Sequence, residues 1–261
     1  MKNIVKATVL INGWKKLGLD KGDKVIVHSS FSSLGSVDGG PKAIIKSLQE
    51  SVGWSGIIVM PSFTYGSGPF HLEKSPSVVG LVSETFRQMN DVYRSWHPTH
   101  SFCIWGKSAK NWAVIHNDCH PFADNSPIEK LYRNGGKILL IGVDHCANTM
   151  IHLAEKFVAV PYISSTSLEY LDDNNNIRKV TSPWRPGCSK GFNIVDNLVR
   201  RTPSWRSTVI GKAECQIMSA IDVVACATSL LEKDKSALLC NEPLCEWCLN
   251  AREIVEKRRY E

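Results

Sequence analysis

The run from Lys137 to Val143 constrains the fold of this chain most strongly, because every residue in it apart from Lys137 and Gly142 is apolar. The run is too short to span a bilayer, and it is typical of a central parallel strand that helices cover on both faces. Parallel strands are joined by crossover connections, which are usually helices. The run therefore predicts an α/β fold with a buried sheet.

Strand and helix patterns alternate along the rest of the chain. Further strands are predicted at Lys24 to Ser29, Gly56 to Phe63, Ser101 to Trp105 and Thr208 to Met218. Helices are predicted at Ile4 to Leu17, Pro41 to Val52, Ser77 to Met89, Thr149 to Phe157, Phe192 to Arg201 and Ile221 to Glu232. The segment from Pro61 to Pro76 is rich in Gly, Pro and Ser and predicts a long loop, a feature that is often functional.

The length and composition favour a globular protein with one main domain. The chain has 261 residues, 43% of them hydrophobic and 21% charged. We expect a single domain over residues 1–235, followed by a Cys-containing tail over residues 236–261 with a helix from Leu249 to Arg259. We find no internal repeat, so a solenoid is not expected.

The same numbers bear on location and partners. No apolar run is long enough for a membrane span, and the amino terminus lacks the apolar stretch and cleavage site of a signal peptide. The nine cysteines, an odd number, are expected to be reduced thiols in a cytoplasmic protein. The net charge of +6 fits a phosphate-bearing cofactor, whereas nucleic acid is not expected because no stripe of basic and aromatic residues recurs.

His152 and Glu155 are the strongest candidates for chemistry. They follow the best predicted strand, which is where open α/β sheets bind ligands. Their spacing places both side chains on one helix face. A carboxylate beside an imidazole fixes its tautomer and raises its basicity, which suits a general base. An ion pair on a helix surface is the alternative interpretation.

Two other segments carry weaker signals. The segment from Val27 to Gly40 ends a strand in serines and glycines, whose hydroxyls and backbone amides can hold phosphate or pantetheine, although such residues also form ordinary turns. His97 and His100 immediately precede a predicted strand. They suit a capped strand entry as well as a catalytic or metal-binding role.

Several short motifs follow one another along the chain. They are Val-His-Ser-Ser30 with Val-Asp-Gly-Gly40, Met-Pro-Ser-Phe-Thr64, Ser-Pro-Ser77 with Gly80 and Glu84, His-Pro-Thr-His-Ser101, Pro121-Phe with Asn125-Ser-Pro127, and Asn-Thr-Met-Ile-His-Leu-Ala-Glu155. The chain lacks the Arg/Gln-x-x-Gly-x-Gly pyrophosphate loop of the GNAT superfamily. Taken in order, the motifs resemble the aminoglycoside 3-N-acetyltransferase family from about Lys15 to Ala220.

The resemblance implies a three-layer α/β/α sandwich that transfers an acetyl group directly from acetyl-CoA to an amine of an aminoglycoside or another amino sugar. It implies that His152 is the base and that Glu155 or Glu214 orients it. His97 also matches a family position, and we expect it to make a structural hydrogen bond. The implied acetyl-CoA contacts are serines, namely Ser29, Ser30, Ser32 and Ser33, with Ser75 and Ser77 less closely matched.

The chain departs from the family pattern in its long loop. Resistance enzymes of the family usually carry acidic residues near the acceptor, because their substrates are polycations. Here the segment from Tyr65 to Lys74 has one carboxylate, Glu73. This favours a less cationic amino sugar, unless Asp144, Asp172 and Asp173 fold into the site.

The tail is the second departure. Cys240, Cys245 and Cys248 offer three soft ligands for structural zinc, and Cys215, Cys226 or a histidine is a candidate for the fourth. This is half of the usual paired Cys-x-x-Cys signature, so buried or surface thiols are the alternative.

Two competing functions use other parts of the chain. In the first, Cys146 is a nucleophile that carries the acetyl group. In the second, the protein is a non-catalytic module that binds CoA or recruits a partner. A pure binding protein has no need of a base such as His152.

Overall fold

The computed structural model describes residues 4–114, 119–185 and 187–258. The α-helices in these ranges are α1 Ala7–Leu17, α2 Gly40–Val52, α3 Leu81–Arg87, α4 Ala109–Trp112, α5 Pro127–Arg133, α6 His152–Phe157, α7 Asp196–Val199, α8 Ala220–Lys233 and α9 Glu246–Lys257. The strands are β1 Lys24–Ser29, β2 Ile57–Pro61, β3 Val92–Arg94, β4 Phe102–Trp105, β5 Lys137–Ile141, β6 Thr166–Leu171, β7 Ile177–Ser182, β8 Arg206–Ile210 and β9 Ala213–Ser219.

Seven strands form one sheet in the order β3-β4-β2-β1-β5-β9-β8. The three central strands β2, β1 and β5 run parallel, and the strands that flank them are antiparallel. The carboxyl ends of the three parallel strands therefore lie at one edge of the sheet. Strands β6 and β7 form a separate two-stranded sheet.

Alternating side chains of the central strands enter two different cores. On β5, Ile138 and Leu140 belong to the core that also contains residues of α5, α6, α8 and α9. Leu139 and Ile141 belong to the opposite core, with residues of α1, α2 and α3. This arrangement is a three-layer α/β/α sandwich, so the predicted fold class is confirmed.

Several predicted boundaries are wrong, each for a local reason. The first helix begins at Ala7 rather than Ile4, because Val5 forms a bridge with Val37. The third helix begins at Leu81 rather than Ser77, because Gly80 has φ 126°, which is outside the helical region.

The prediction of one strand from Thr208 to Met218 is also wrong. Strands β8 and β9 form an antiparallel hairpin across this segment. Gly211 turns the chain with φ 61°, and a Cβ there would lie 2.3 Å from the Leu34 carbonyl oxygen. A side chain is therefore excluded at the turn.

Residues beyond α8 pack into the same core as that helix. Leu238, Leu239 and Cys240 are buried there, together with Cys248 and Ala251 around α9. The division of the chain at residues 235 and 236 stays a prediction. The predicted helix end at Arg259 lies outside the described residues.

Every helix in the described ranges is too short or too polar to cross a membrane.

Candidate active site

The site begins where β5 leaves the sheet. Gly142 has φ 60°, and a Cβ on it would lie 1.8 Å from the Ser33 Oγ. Only glycine combines this backbone conformation with so close an approach. The turn therefore packs the end of β5 against the serine-rich segment that follows β1.

Two capped turns then lead into helix α6. The Asp144 carboxylate accepts from the Cys146 amide and begins the 3-10 turn His145–Ala147. The Asn148 side chain accepts from the Met150 amide and begins the turn Thr149–Ile151. Asn148 thus begins a 3-10 turn, and α6 itself starts at His152 rather than at Thr149.

His152 and Glu155 form a buried hydrogen-bonded pair. The imidazole Nδ1 lies 2.5 Å from the Glu155 Oε2, and the two residues are 6% and 2% exposed. Because an ionised carboxylate can only accept, Nδ1 carries the proton and the Nε2 lone pair is left for another partner. No hydrogen bond to Nε2 occurs among the described residues.

Tyr162 binds the other oxygen of the same carboxylate. Its hydroxyl donates to the Glu155 Oε1 over 2.9 Å. Burial and the neighbouring Glu155 raise the pKa of Tyr162, so its hydroxyl remains a donor. Sequence analysis missed Tyr162, because it lies beyond the turn that ends α6.

Aromatic rings enclose the imidazole. Phe122 stacks on the His152 ring with centroids 5.1 Å apart. Phe192 meets the same ring edge-on at 4.9 Å. The ring therefore has a fixed orientation, set by packing as well as by Glu155.

Two clefts meet at the segment that leads from β5 to α6. The first, which we call the Tyr65 cleft, has a volume of about 460 Å³ and is lined by Ser29, Phe63, Tyr65 and Thr149, among other residues. The second, the Ser33 cleft, has a volume of about 770 Å³ and is lined by Ser33, Asp144, Asp196, Arg200, Lys212 and Glu214, among other residues. Val143 and Ala147 line both clefts.

The predicted cofactor serines fall into different places. Ser29 lines the Tyr65 cleft and Ser33 lines the Ser33 cleft. The hydroxyls of Ser30 and Ser32 lie 3.3 Å apart in the turn between these two residues.

The other two predicted serines lie in the long loop. The Ser75 hydroxyl accepts from the His71 amide, which closes a turn of the loop. Ser77 is buried, and among the described residues its hydroxyl has no hydrogen-bond partner.

Glu214 lies in the Ser33 cleft and not beside His152. Its side chain is 51% exposed and lies 3.8 Å from Arg200. No contact between Glu214 and His152 occurs in the described ranges. Of the two carboxylates that the sequence left open as partners of His152, Glu155 is the one in contact.

Two other histidines have clear positions. His97 is fully buried, and its Nε2 donates to the Cys119 carbonyl while its Nδ1 accepts from the amides of Thr99 and His100. These bonds suit the structural role expected for His97.

His28 lines the Tyr65 cleft, and its buried Nε2 lacks a hydrogen-bond partner among the described residues. Burial, with His145 nearby, lowers the pKa of His28 to about 3, so its ring is neutral. Sequence analysis did not single out this histidine.

The carboxylates of the predicted acceptor region are dispersed. Tyr65 reaches its cleft, whereas Glu73 is exposed elsewhere in the loop. Asp144 lines the Ser33 cleft. Asp172 accepts from Asn176 and Arg178 in the turn between β6 and β7, and Asp173 occupies the same turn.

The three tail cysteines come together with a fourth thiol. Cys188, Cys240, Cys245 and Cys248 place their sulfur atoms within 4.8 Å of one another. The expectation that Cys215, Cys226 or a histidine completes the set is wrong. Cys215 lies on β9 in the opposite core, whereas the loop after β7 brings Cys188 to the tail.

Comparison with known proteins identifies relatives of one kind. Residues 26–232 match the family model described as aminoglycoside 3-N-acetyltransferase. Aminoglycoside N(3)-acetyltransferase IV of Salmonella sp is 32% identical over 228 residues, which cover 86% of this chain and 87% of that protein.

Solved structures give the same result. The apoenzyme of aminoglycoside acetyltransferase AAC(3)-IVa superposes with a TM-score of 0.87 at 30% identity, covering 97% of this chain and 98% of that one. A histidine-to-alanine mutant of it in complex with a gentamicin has a TM-score of 0.86 at 30% identity, with the same coverage.

A more distant structure, AAC-IIIb in a binary complex with CoASH, shares the fold with a TM-score of 0.79 at 22% identity, covering 88% of this chain and 97% of that one. The family model and the similarity across most of the chain agree with the observed sandwich. This chain belongs to the aminoglycoside 3-N-acetyltransferase family.

Proposed function

We propose that this enzyme transfers the acetyl group of acetyl-CoA directly to an amine of an aminoglycoside or a related amino sugar, with His152 as the general base. The observation that carries the proposal is the hydrogen bond from His152 Nδ1 to Glu155, which leaves Nε2 with its lone pair. The complex of the similar AAC(3)-IVa with a gentamicin supports the acceptor class.

The chemistry needs one proton acceptor at the amine. Nε2 takes a proton from the substrate ammonium, and the freed nitrogen lone pair attacks the thioester carbonyl carbon. The tetrahedral intermediate then expels CoA as the thiolate, which takes the remaining extra proton of the attacking nitrogen, and the imidazolium releases its own proton to solvent. Glu155 stabilises the imidazolium that forms, and Tyr162 holds that carboxylate in place.

The Ser33 cleft suits the donor. Lys212 forms no ion pair within the described ranges, and its side chain lies beside Gly35, near the serine turn. A lysine next to hydroxyls and backbone amides is a suitable site for the phosphates of acetyl-CoA. Arg200 is less available, because it pairs with Asp196 and approaches Glu214.

The Tyr65 cleft suits the acceptor. It lies at the carboxyl ends of β1 and β2, and the long loop reaches it through Tyr65. It meets the Ser33 cleft at Val143 and Ala147, shortly before His152 in the chain. An amine from one side and a thioester from the other would therefore meet next to α6.

The geometry favours direct transfer over a covalent intermediate on Cys146. Burial and the neighbouring Asp144 raise the pKa of Cys146, so the reactive thiolate is disfavoured. The Cys146 thiol donates to the Lys190 carbonyl, and within the described ranges it makes no hydrogen bond to an imidazole.

The experiment is a CoA-release assay with acetyl-CoA and three acceptors: gentamicin, apramycin and a nucleotide-linked amino sugar. Mass spectrometry of the products identifies an added acetyl group. Acetylation of any of them by enzyme whose Cys146 has been alkylated supports direct transfer. Acetyl-CoA binding without any acetylated product would contradict the proposal and favour a binding module.

A further inference from the structure

We infer that Cys188, Cys240, Cys245 and Cys248 bind one structural zinc ion. This ion holds in place the residues that pack against the active site. The four sulfur atoms lie within 4.8 Å of one another. Four thiolates bound to zinc leave no position for water or substrate, so a site of this kind is structural and not catalytic.

The spacing of the sulfur atoms fits a tetrahedron. At the usual zinc–sulfur distance of about 2.3 Å, the edges of a regular tetrahedron measure about 3.8 Å. The Sγ atoms of Cys188 and Cys240 lie 3.7 Å apart. Cys240 and Cys248 are buried, which protects two of the ligands from solvent.

The ligands come from segments far apart in the chain. Cys188 lies in the loop after β7, and Cys240 lies in the segment between α8 and α9. Cys245 immediately precedes α9, and Cys248 lies in its first turn. A metal ion bound by all four would therefore link the tail to the body of the protein and close the long loop between Cys188 and Cys240. Closing such a loop restricts the unfolded chain and so stabilises the folded state.

The first connection to the active site runs through Phe192. This residue closely follows Cys188, its amide donates to the Ser189 carbonyl, and its ring packs against His152 at 4.9 Å. A metal ion bound at Cys188 would fix the loop that carries Phe192, and so would fix a ring that packs against the imidazole.

The second connection runs through Trp247, which lies between Cys245 and Cys248. Its ring meets Tyr162 edge-on with centroids 5.5 Å apart, and Tyr162 donates to Glu155. Trp247 also packs so closely on Gly187 that a Cβ there would lie 1.9 Å from the indole. The metal site would therefore hold in place residues that contact His152 directly and Glu155 through Tyr162.

The test measures metal content in protein purified under reducing conditions. Wild type is expected to hold about one zinc per chain, and Cys188→Ser to lose most of it. The matched control is Cys226→Ser, a half-buried cysteine outside the cluster, which should keep its zinc. Thermal unfolding should begin at a lower temperature in Cys188→Ser and be unchanged in Cys226→Ser.

Cobalt substitution tests the site without any mutation. Wild type exchanged with Co²⁺ is expected to show the visible absorption of tetrahedral cobalt with thiolate ligands. The inference is overturned if wild type contains iron in place of zinc, if it takes up neither zinc nor Co²⁺, or if Cys188→Ser retains the full zinc content. None of these readouts depends on acetyl transfer, so they separate this inference from the proposed reaction.

Discussion

His152 interacts with Glu155 through one ring nitrogen. It also contacts two aromatic rings, one stacked on it and one edge-on. Nδ1 is held by the carboxylate, while Phe122 and Phe192 fix the plane of the ring. In the proposed mechanism the two nitrogens have different roles, because only Nε2 has a lone pair that can accept a proton from the substrate. Substitutions around the ring should therefore act on turnover more than on acetyl-CoA binding.

We predict that Glu155→Gln lowers kcat by about tenfold, less than loss of the base itself, because the amide still accepts from Nδ1 but carries no charge. Tyr162→Phe should act in the same direction. Steady-state kinetics check this, with Glu214→Gln as the control. A kcat that is unchanged in Glu155→Gln, or that falls less than in Glu214→Gln, would contradict this role of Glu155.

The Ser33 cleft, the proposed site of the donor, gives a second prediction. Lys212→Met should raise the KM for acetyl-CoA and leave the KM for the acceptor nearly unchanged, because a phosphate contact is lost. Bulky replacements of Ser30 and Ser33 should do the same. Lys46→Met, on the exposed side of α2, is the control. A rise in the acceptor KM alone would place the acceptor in this cleft.

At the scale of elements, we expect the long loop and the strands around it to determine which acceptors fit. The residues that line the Tyr65 cleft include His28, Ser29, Phe63 and Tyr65 but no carboxylate. His28 is neutral there, so the cleft does not repel one ammonium, but it offers no ion pair to several. Exposed ion pairs contribute only about 0.2–1 kcal/mol each, so the effect depends on their number.

We predict higher catalytic efficiency on a nucleotide-linked sugar with one amine than on a gentamicin-like polycation. The missing ion pairs would reduce the efficiency on the polycation by up to about 100-fold. Measuring kcat/KM on both substrates side by side checks this. If the polycation is preferred by about tenfold or more, the interpretation of the loop is wrong.

The sequence predicts elements well where one pattern continues over many residues and poorly where a turn interrupts it. Strand β5 was predicted from its apolar run, and α8 from its spacing. The β8–β9 hairpin was missed because Gly211 divides one continuous strand-like pattern. The pair of His152 and Glu155 followed from helical spacing, whereas Tyr162 and Cys188 reach their partners only through the fold.

At the scale of the whole molecule, buried neutral histidines connect stability to pH. Burial lowers the pKa of His28 to about 3 and that of His97 to about 4. Protonation of His97 would also break the bonds that its Nδ1 accepts from Thr99 and His100. The unfolded chain therefore binds more protons than the folded protein below about pH 6.5.

We predict that the free energy of unfolding falls as the pH drops from 7.5 to 5.0, by about 2 kcal/mol for each of these two histidines. Urea unfolding at both pH values checks this. His97→Gln should be less stable at pH 7.5 and lose less stability on acidification. An equal loss in wild type and in His97→Gln would remove His97 from the explanation.

The proposed reaction depends most on His152, and turnover by His152→Ala tests it most directly. We predict that kcat falls by about 100- to 10,000-fold, the usual contribution of a positioned general base. The dissociation constant for acetyl-CoA and the circular dichroism spectrum should match those of wild type, and His152→Gln, which fills more of the space, should show the same loss. Turnover within a few-fold of wild type in both variants would contradict the assignment of His152 as the base.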